Sequence, residues 1–211
     1  MPIKSEREYR NLAEILAPSE DMTVRGYATT YNQPYLLYRD ADVELWEQVD
    51  PNAFSETDLS DVIMQYDHEG RVFARTKNNT LRLRSDDRGL EIEADLSGTT
   101  IGRELFEEIK GEYTTKMSFG FTVKSDDWTK RKENGVEINL RTILSVGKLY
   151  DVSAVSLPAN DNTVIKSVRN LSDGVIERLK AERLEQKRLA ELQEKRNALL
   201  KRIEESENGN S

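Results

Sequence analysis

Asp86-Asp87-Arg88-Gly89-Leu90-Glu91-Ile92-Glu93-Ala94-Asp95-Leu96 decides the fold class of this chain. Its first four residues carry turn chemistry. The next seven alternate apolar with acidic side chains, the period-2 pattern of a strand with one buried face, here Leu90, Ile92, Ala94 and Leu96. Immediately downstream the period changes. Thr99 or Thr100 is placed to cap a helix whose Ile101, Leu105, Phe106 and Ile109 recur at helical spacing, and Gly111 is placed to end it. Upstream, Arg71 to Lys77 and Thr80 to Arg84 read as two strands around the turn pair Asn78-Asn79. Val62-Ile63-Met64-Gln65-Tyr66 is a compact apolar strand that delivers Asp67-His68-Glu69-Gly70 at its end.

Further out the same β pattern continues. Thr23 to Tyr31 is a strand interrupted by Gly26, and Val43 to Val49 alternates before Asp50-Pro51, where Asp50 is expected to cap a short helix. Beyond the helix, Lys116 to Lys124 is an apolar strand with Ser118 at its centre. A charged loop from Asp126 to Gly135 is expected next, followed by strands Val136 to Val146 and Leu149 to Leu157. Residues 1–20 are polar, with only Leu12, Ile15 and Leu16 as apolar landmarks, and read as a loosely held N-terminal arm. From about Ser172, Glu, Lys, Arg, Leu and Ala dominate and predict one long helix. Leu189, Leu192, Leu199 and Ile203 are spaced as a heptad seam with Arg196 filling one position. The reading is therefore mainly β with short helices, an α+β chain. Residues 21–168 form a small closed or nearly closed barrel and residues 169–211 a charged helical extension.

Composition narrows the chemistry. The chain has 211 residues, a net charge of -8 and one histidine, His68, and it has no cysteine. It lacks the basic footprint of a phosphate-backbone binder, so nucleic acid is not expected as its main ligand. Without cysteine there is no disulfide, thiolate nucleophile or cysteine-bound zinc, and one histidine leaves only a carboxylate-dominated metal site. No cofactor is called for. No run approaches the roughly 20 apolar residues that cross a bilayer, so the expectation is a soluble, cytoplasmic protein. If imidazole does acid-base work near neutral pH, His68 must supply it.

A serine hydroxyl needs a base within hydrogen-bond reach to become a nucleophile, which makes Ser118 and His68 the candidates. Asp151 interrupts the otherwise apolar run Leu149-Tyr150-Asp151-Val152-Ser153-Ala154-Val155. A carboxylate there is costly unless compensated, and an imidazole N–H would compensate it; alternatively Asp151 faces outward and needs nothing. Asp67 and Glu69, beside His68, are rival partners for the ring.

In order and spacing, these segments resemble the prohead maturation proteases of tailed phages, the HK97-type family, related in fold to the assemblin proteases of herpesviruses. The residues that carry the resemblance are Arg25-Gly26-Tyr27-Ala28, Phe54, Tyr66-Asp67-His68, Gly89-Leu90, Met117-Ser118-Phe119-Gly120-Phe121, Arg141-Thr142-Ile143, Leu149-Tyr150-Asp151-Val152-Ser153 and Pro158-Ala159-Asn160. They cover roughly Val24 to Lys166.

The resemblance implies a barrel of the herpesvirus-protease type and a serine endopeptidase with Ser118 as nucleophile, His68 as general base and Asp151 orienting the ring. The herpesvirus version uses two histidines; this chain has one, so its third member must be acidic or absent. The implied partners are the major capsid protein precursor and its scaffolding segment, inside the immature capsid in the host cytoplasm. Self-cleavage in or near the tail is implied as well, and self-association stays open. Oxyanion donors are not located by the sequence; a backbone amide near Arg141 or the loop before Val136 is the expectation. A non-enzymatic assembly protein that keeps the fold as a platform is the competing class. An esterase is disfavoured because the Gly-x-Ser-x-Gly elbow is missing around Ser118.

Overall fold

The computed structural model describes residues 7–12, 17–155 and 171–208. In chain order the elements are β1 (Glu8–Leu12), β2 (Ala17–Pro18), β3 (Thr23–Thr30), β4 (Tyr35–Arg39), β5 (Val43–Val49), β6 (Ile63–Tyr66) and β7 (Glu69–Arg75). After one turn of 3₁₀ helix at Thr76–Asn78 come β8 (Leu81–Ser85), β9 (Gly89–Asp95), α1 (Thr100–Lys110), β10 (Lys116–Glu133), β11 (Val136–Val155) and α2 (Leu171–Asn208). Ser156, Leu157 and the Pro158-Ala159-Asn160 motif lie outside the described residues.

The strands form two sheets. One runs β1-β10-β11-β5-β4 with β6 and β7 added beside β11; the other runs β2-β3-β9-β8. The chain is thus mainly β with two helices, but neither sheet closes into the expected barrel. The strands read around Asn78-Asn79 are not a hairpin: the 3₁₀ turn, ended by Asn79 in the left-handed conformation (φ 60°), carries the chain from β7 in one sheet to β8 in the other. Among the described residues the sheets are bridged by one parallel pair, Tyr31 with Val49, which does not extend into a ladder.

β9 buries Leu90, Ile92 and Ala94, with Leu96 just beyond its end, as its alternation requires. The Thr99 side chain accepts from the Gly102 N–H at 3.0 Å to cap α1, which buries Leu105, Phe106 and Ile109. Phe119 and Phe121 stack at 4.5 Å and meet Phe54 in the same apolar core. No helix begins at Pro51. Asp50 instead accepts from the Asn52 N–H at 2.8 Å, closing a local side-chain turn that competes with helix formation.

Two further expectations are corrected. The charged segment after Lys124 is not a loop. β10 continues to Glu133 and turns at Asn134-Gly135, both left-handed (φ 49° and 86°), into β11, which runs unbroken through the two strands read separately. Asn-Gly is the preferred two-residue hairpin turn, and solvated charges on both faces do not prevent ladder bonding. Register shifts cluster from Gly120 to Asp126. Beyond them the hairpin serves two neighbours: Glu137 to Ile143 pair with β5, and Asp151 to Ala154 pair with β6, both in parallel.

The described part of the N-terminal arm is not loosely held either. β1 lies antiparallel along β10, and Glu8 and Arg10 are buried. Arg10 grips Glu47 with two nitrogens, and Arg141 donates to Glu8 at 2.8 Å, Glu47 at 2.9 Å and Asp126 at 2.6 Å. Tyr35 adds its hydroxyl to Glu47 at 2.5 Å. Burial works against the charged form of Glu47, but Arg10 and Arg141 outweigh it and hold the carboxyl below its ordinary range. Opposite charges at hydrogen-bond distance are what make such a buried cluster tolerable, and removing one member strands the others.

The remaining unit, α2, exposes Leu184, Leu189, Leu192, Leu199 and Leu200 among its described side chains.

Candidate active site

The site is assembled on one face of β10. Side chains alternate along a strand, so Met117, Phe119 and Phe121 enter the core while Ser118 and Gly120 share the opposite face. Cross-strand partners lie on the same face as each other. Ser118 pairs with Ser153 and Gly120 with Asp151 on β11, while Tyr9 on β1 stands opposite Gly120. The i, i+2 spacing of Asp151 and Ser153 therefore points both at the serine strand. Ser118, Asp151 and Ser153 are all fully buried.

His68 arrives from the other side, on the two-residue turn joining β6 to β7. Asp67 and His68 both have positive φ (48° and 61°), the conformation that usually selects Asn-Gly. Each such residue costs on the order of 1 kcal/mol, a strain that is characteristic of functional turns. The Asp67 N–H donates to the Ala154 carbonyl at 2.9 Å, fixing the turn to β11.

From this turn the ring reaches both sequence-predicted partners. Nδ1 lies 2.5 Å from Asp151 Oδ1, and Nε2 is hydrogen-bonded to Ser118 Oγ. The three residues singled out in the sequence, 50 and 83 positions from His68, thus converge in one constellation. Asp151 does not face outward. Asp67 and Glu69 line a groove of about 550 Å³ between the turn and α1.

Asp151 is held by more than the histidine. Ser153 Oγ donates to the same oxygen at 2.9 Å, and Arg7 forms an ion pair with the other. The Arg7 guanidinium lies 4.5 Å from the Tyr150 ring centre and 5.2 Å from that of Tyr9. Tyr9 in turn meets the His68 ring edge-on at 4.4 Å. Burial raises the Tyr9 phenol above its ordinary value; Arg7 opposes that rise and Asp151 reinforces it. Gly120 makes the crowding possible. A Cβ there would stand 2.8 Å from Tyr9 Cε1 and still closer to Asp151 Oδ2.

Arg7 and Tyr9 were not singled out by sequence reasoning, and Gly120 and Ser153 entered only within the motifs that carry the resemblance, with no role assigned. A glycine inside an apolar strand signals close approach of another group, and it was the one available cue. The expected oxyanion donors are not supported. Arg141 lies ten residues along β11 from Asp151, about 30 Å of strand, with its side chain in the buried ionic cluster. The turn before Val136 is farther still.

Chemically, the arrangement is a hydroxyl, an imidazole and a carboxylate in series, as nucleophilic acyl transfer requires. Among the described residues no cluster of three or more His, Asp or Glu is arranged to hold a metal ion, and no helix is long and apolar enough to cross a membrane. Comparison with curated proteins and with solved structures gives no match. The family model described as caudovirus prohead serine protease matches residues 10–175, a stretch that contains Ser118, His68 and Asp151 and more than half the chain. The chain belongs to the caudovirus prohead serine protease family.

Proposed function

We propose that this chain is a prohead maturation endopeptidase that cleaves the scaffolding region of its major capsid protein precursor, and itself, through Ser118, His68 and Asp151. The observation that carries the reading is His68 bridging Ser118 Oγ and Asp151 Oδ1 within a chain of this family. In the first half-reaction His68 Nε2 takes the Ser118 proton as Oγ attacks the scissile carbonyl carbon. The resulting imidazolium is held by Asp151 and protonates the departing amine. Water then enters, gives its proton to His68 and releases the acyl group from Ser118, restoring the resting state. The charge on Asp151 stabilises the imidazolium and fixes the tautomer with its proton on Nδ1.

Residues 21–168 are the protease core on this reading, joined by the N-terminal strand. The extension from residue 169, whose exposed leucines recur along α2, engages helical scaffold and keeps the enzyme beside its substrate in the assembling shell. Co-expression with the matching capsid precursor tests the proposal, with intact mass as the readout. Wild type should shorten the precursor, and Ser118→Ala and His68→Ala should leave it whole while still associating with it. Unchanged maturation with Ser118→Ala would instead identify a non-enzymatic assembly platform.

A further inference from the structure

We propose that Arg7 is a positioning residue of the protease, a fourth member of the site that keeps Asp151 ionised while His68 stays neutral and ready to accept a proton. The inference rests on the roles given above to Ser118, His68 and Asp151. Arg7 stands before the 10–175 stretch matched by the family model, so the match assigns it nothing.

Asp151 is fully buried, and a buried carboxylate must be compensated. His68 Nδ1 meets Oδ1 at 2.5 Å, and with only that ring and the neutral Ser153 hydroxyl as partners the carboxylate would favour a second proton on the ring. An imidazolium cannot take the proton of Ser118. Arg7 supplies a permanent positive charge to Oδ2, on the side of the carboxylate away from the ring, so Oδ1 can accept from a neutral imidazole. Its planar guanidinium lies against Tyr9 and Tyr150. The absent Cβ of Gly120 leaves the space that the Arg7 Nε, Tyr9 and the carboxylate share.

Among the described residues, the charged and titratable groups around the ring are few. Arg7 and Tyr9 come from the N-terminal strand and the residue before it, and Asp151 comes from β11 with Ser118 and Ser153 as neutral partners. Asp67 and Glu69 belong to the turn itself, and Tyr150 and Lys148 lie beyond Arg7. Arg7 is the cation in direct contact with the His68–Asp151 pair. Removing it should favour the imidazolium–carboxylate form and move protonation of His68 to higher pH.

His68 is the chain's one histidine, so in a tag-free protein its ring signals need no assignment. NMR titration of the wild type, Arg7→Gln and Arg7→Lys measures the protonation midpoint directly, and pH-dependent labelling by a fluorophosphonate measures the reactivity of Ser118. For Arg7→Gln the midpoint and the acidic limb of labelling should both rise by on the order of one pH unit, with labelling falling about tenfold well below the midpoint and severalfold near neutrality. Arg7→Lys keeps the charge and should hold the midpoint within a few tenths of a unit of wild type. A merely structural Arg7 would leave the midpoint in place.

An unmoved midpoint in Arg7→Gln, an equal shift in both variants, or faster labelling of Arg7→Gln would overturn the proposal; the last would make the N-terminal strand a cover. Failure of the underlying reading looks different, because Ser118→Ala would then still be labelled or still cleave the precursor.

Discussion

Replacing Gly120 by alanine adds one methyl group where the site has no room for it. The new Cβ would face Tyr9 Cε1 at 2.8 Å and Arg7 Nε at 3.1 Å, and would lie nearer still to Asp151 Oδ2. None of the three can retreat freely. Tyr9 is paired in the ladder opposite Gly120, Asp151 is paired on the other side, and Arg7 is tied to Asp151. Overpacking of this kind costs about 1–3 kcal/mol, which a melting experiment should register as several degrees. The larger effect should fall on reactivity. A displacement of about 1 Å at a catalytic carboxylate costs on the order of 100-fold, because His68 then no longer holds its proton geometry toward Ser118.

Fluorophosphonate labelling followed by intact mass separates the two effects when both are measured well below the melting temperature. Gly98→Ala is the control, since a Cβ there meets nothing within 4 Å. Folded Gly120→Ala protein that labels within twofold of wild type would refute the reasoning, because the crowding would then have been relieved without moving Asp151.

Ser153→Ala removes one donor to Asp151 and should slow labelling severalfold while costing about 1 kcal/mol of stability, measured by denaturant titration. Glu47→Gln breaks the buried ionic cluster and should cost about 3–5 kcal/mol by the same assay. Because the Glu47 carboxyl is held below its ordinary value of 4.5, its contribution is fully present above about pH 4.5 and is lost as pH falls through the lower folded value. The melting temperature of wild type should therefore drop on acidification more steeply than that of Glu47→Gln. Gly135→Ala places a side chain at φ 86°, and should cost about 1 kcal/mol without changing the labelling rate, the turn lying far along the hairpin from Ser118.

Where local pattern and tertiary environment agreed, the sequence was easily read. The alternation of Leu90 to Leu96 and the Thr99-capped helix are present as read, since a single buried face dictates both. His68, Ser118 and Asp151 were legible because each residue type is chemically conspicuous in its surroundings. Tyr9 and Arg7 were not, because their meaning depends on a pairing across more than 100 residues of chain that no local period announces. The ionic cluster was hidden for the same reason. Glu8 and Arg10 look like solvated charges until β1 is laid against β10 and brings them to Glu47 and Arg141. Closure into the expected barrel is not seen among the described strands. Asn78-Asn79 has hairpin chemistry, and periodicity cannot tell a turn that returns to its own sheet from one that departs to another.

Ser118 has no exposed surface, with β1 on one side of its strand, β11 on the other and His68 above it. A peptide bond cannot reach a hydroxyl that solvent does not touch, so catalysis by Ser118, as proposed above, would require an opening step in every turnover. The apparent affinity for substrate is then the intrinsic affinity reduced by the fraction of molecules that are open. Under the function proposed above, confinement beside concentrated precursor would compensate for a small open fraction, whereas dilution into free solution would not. Burial of Ser118 would thereby make the proposed activity depend on where the chain is held.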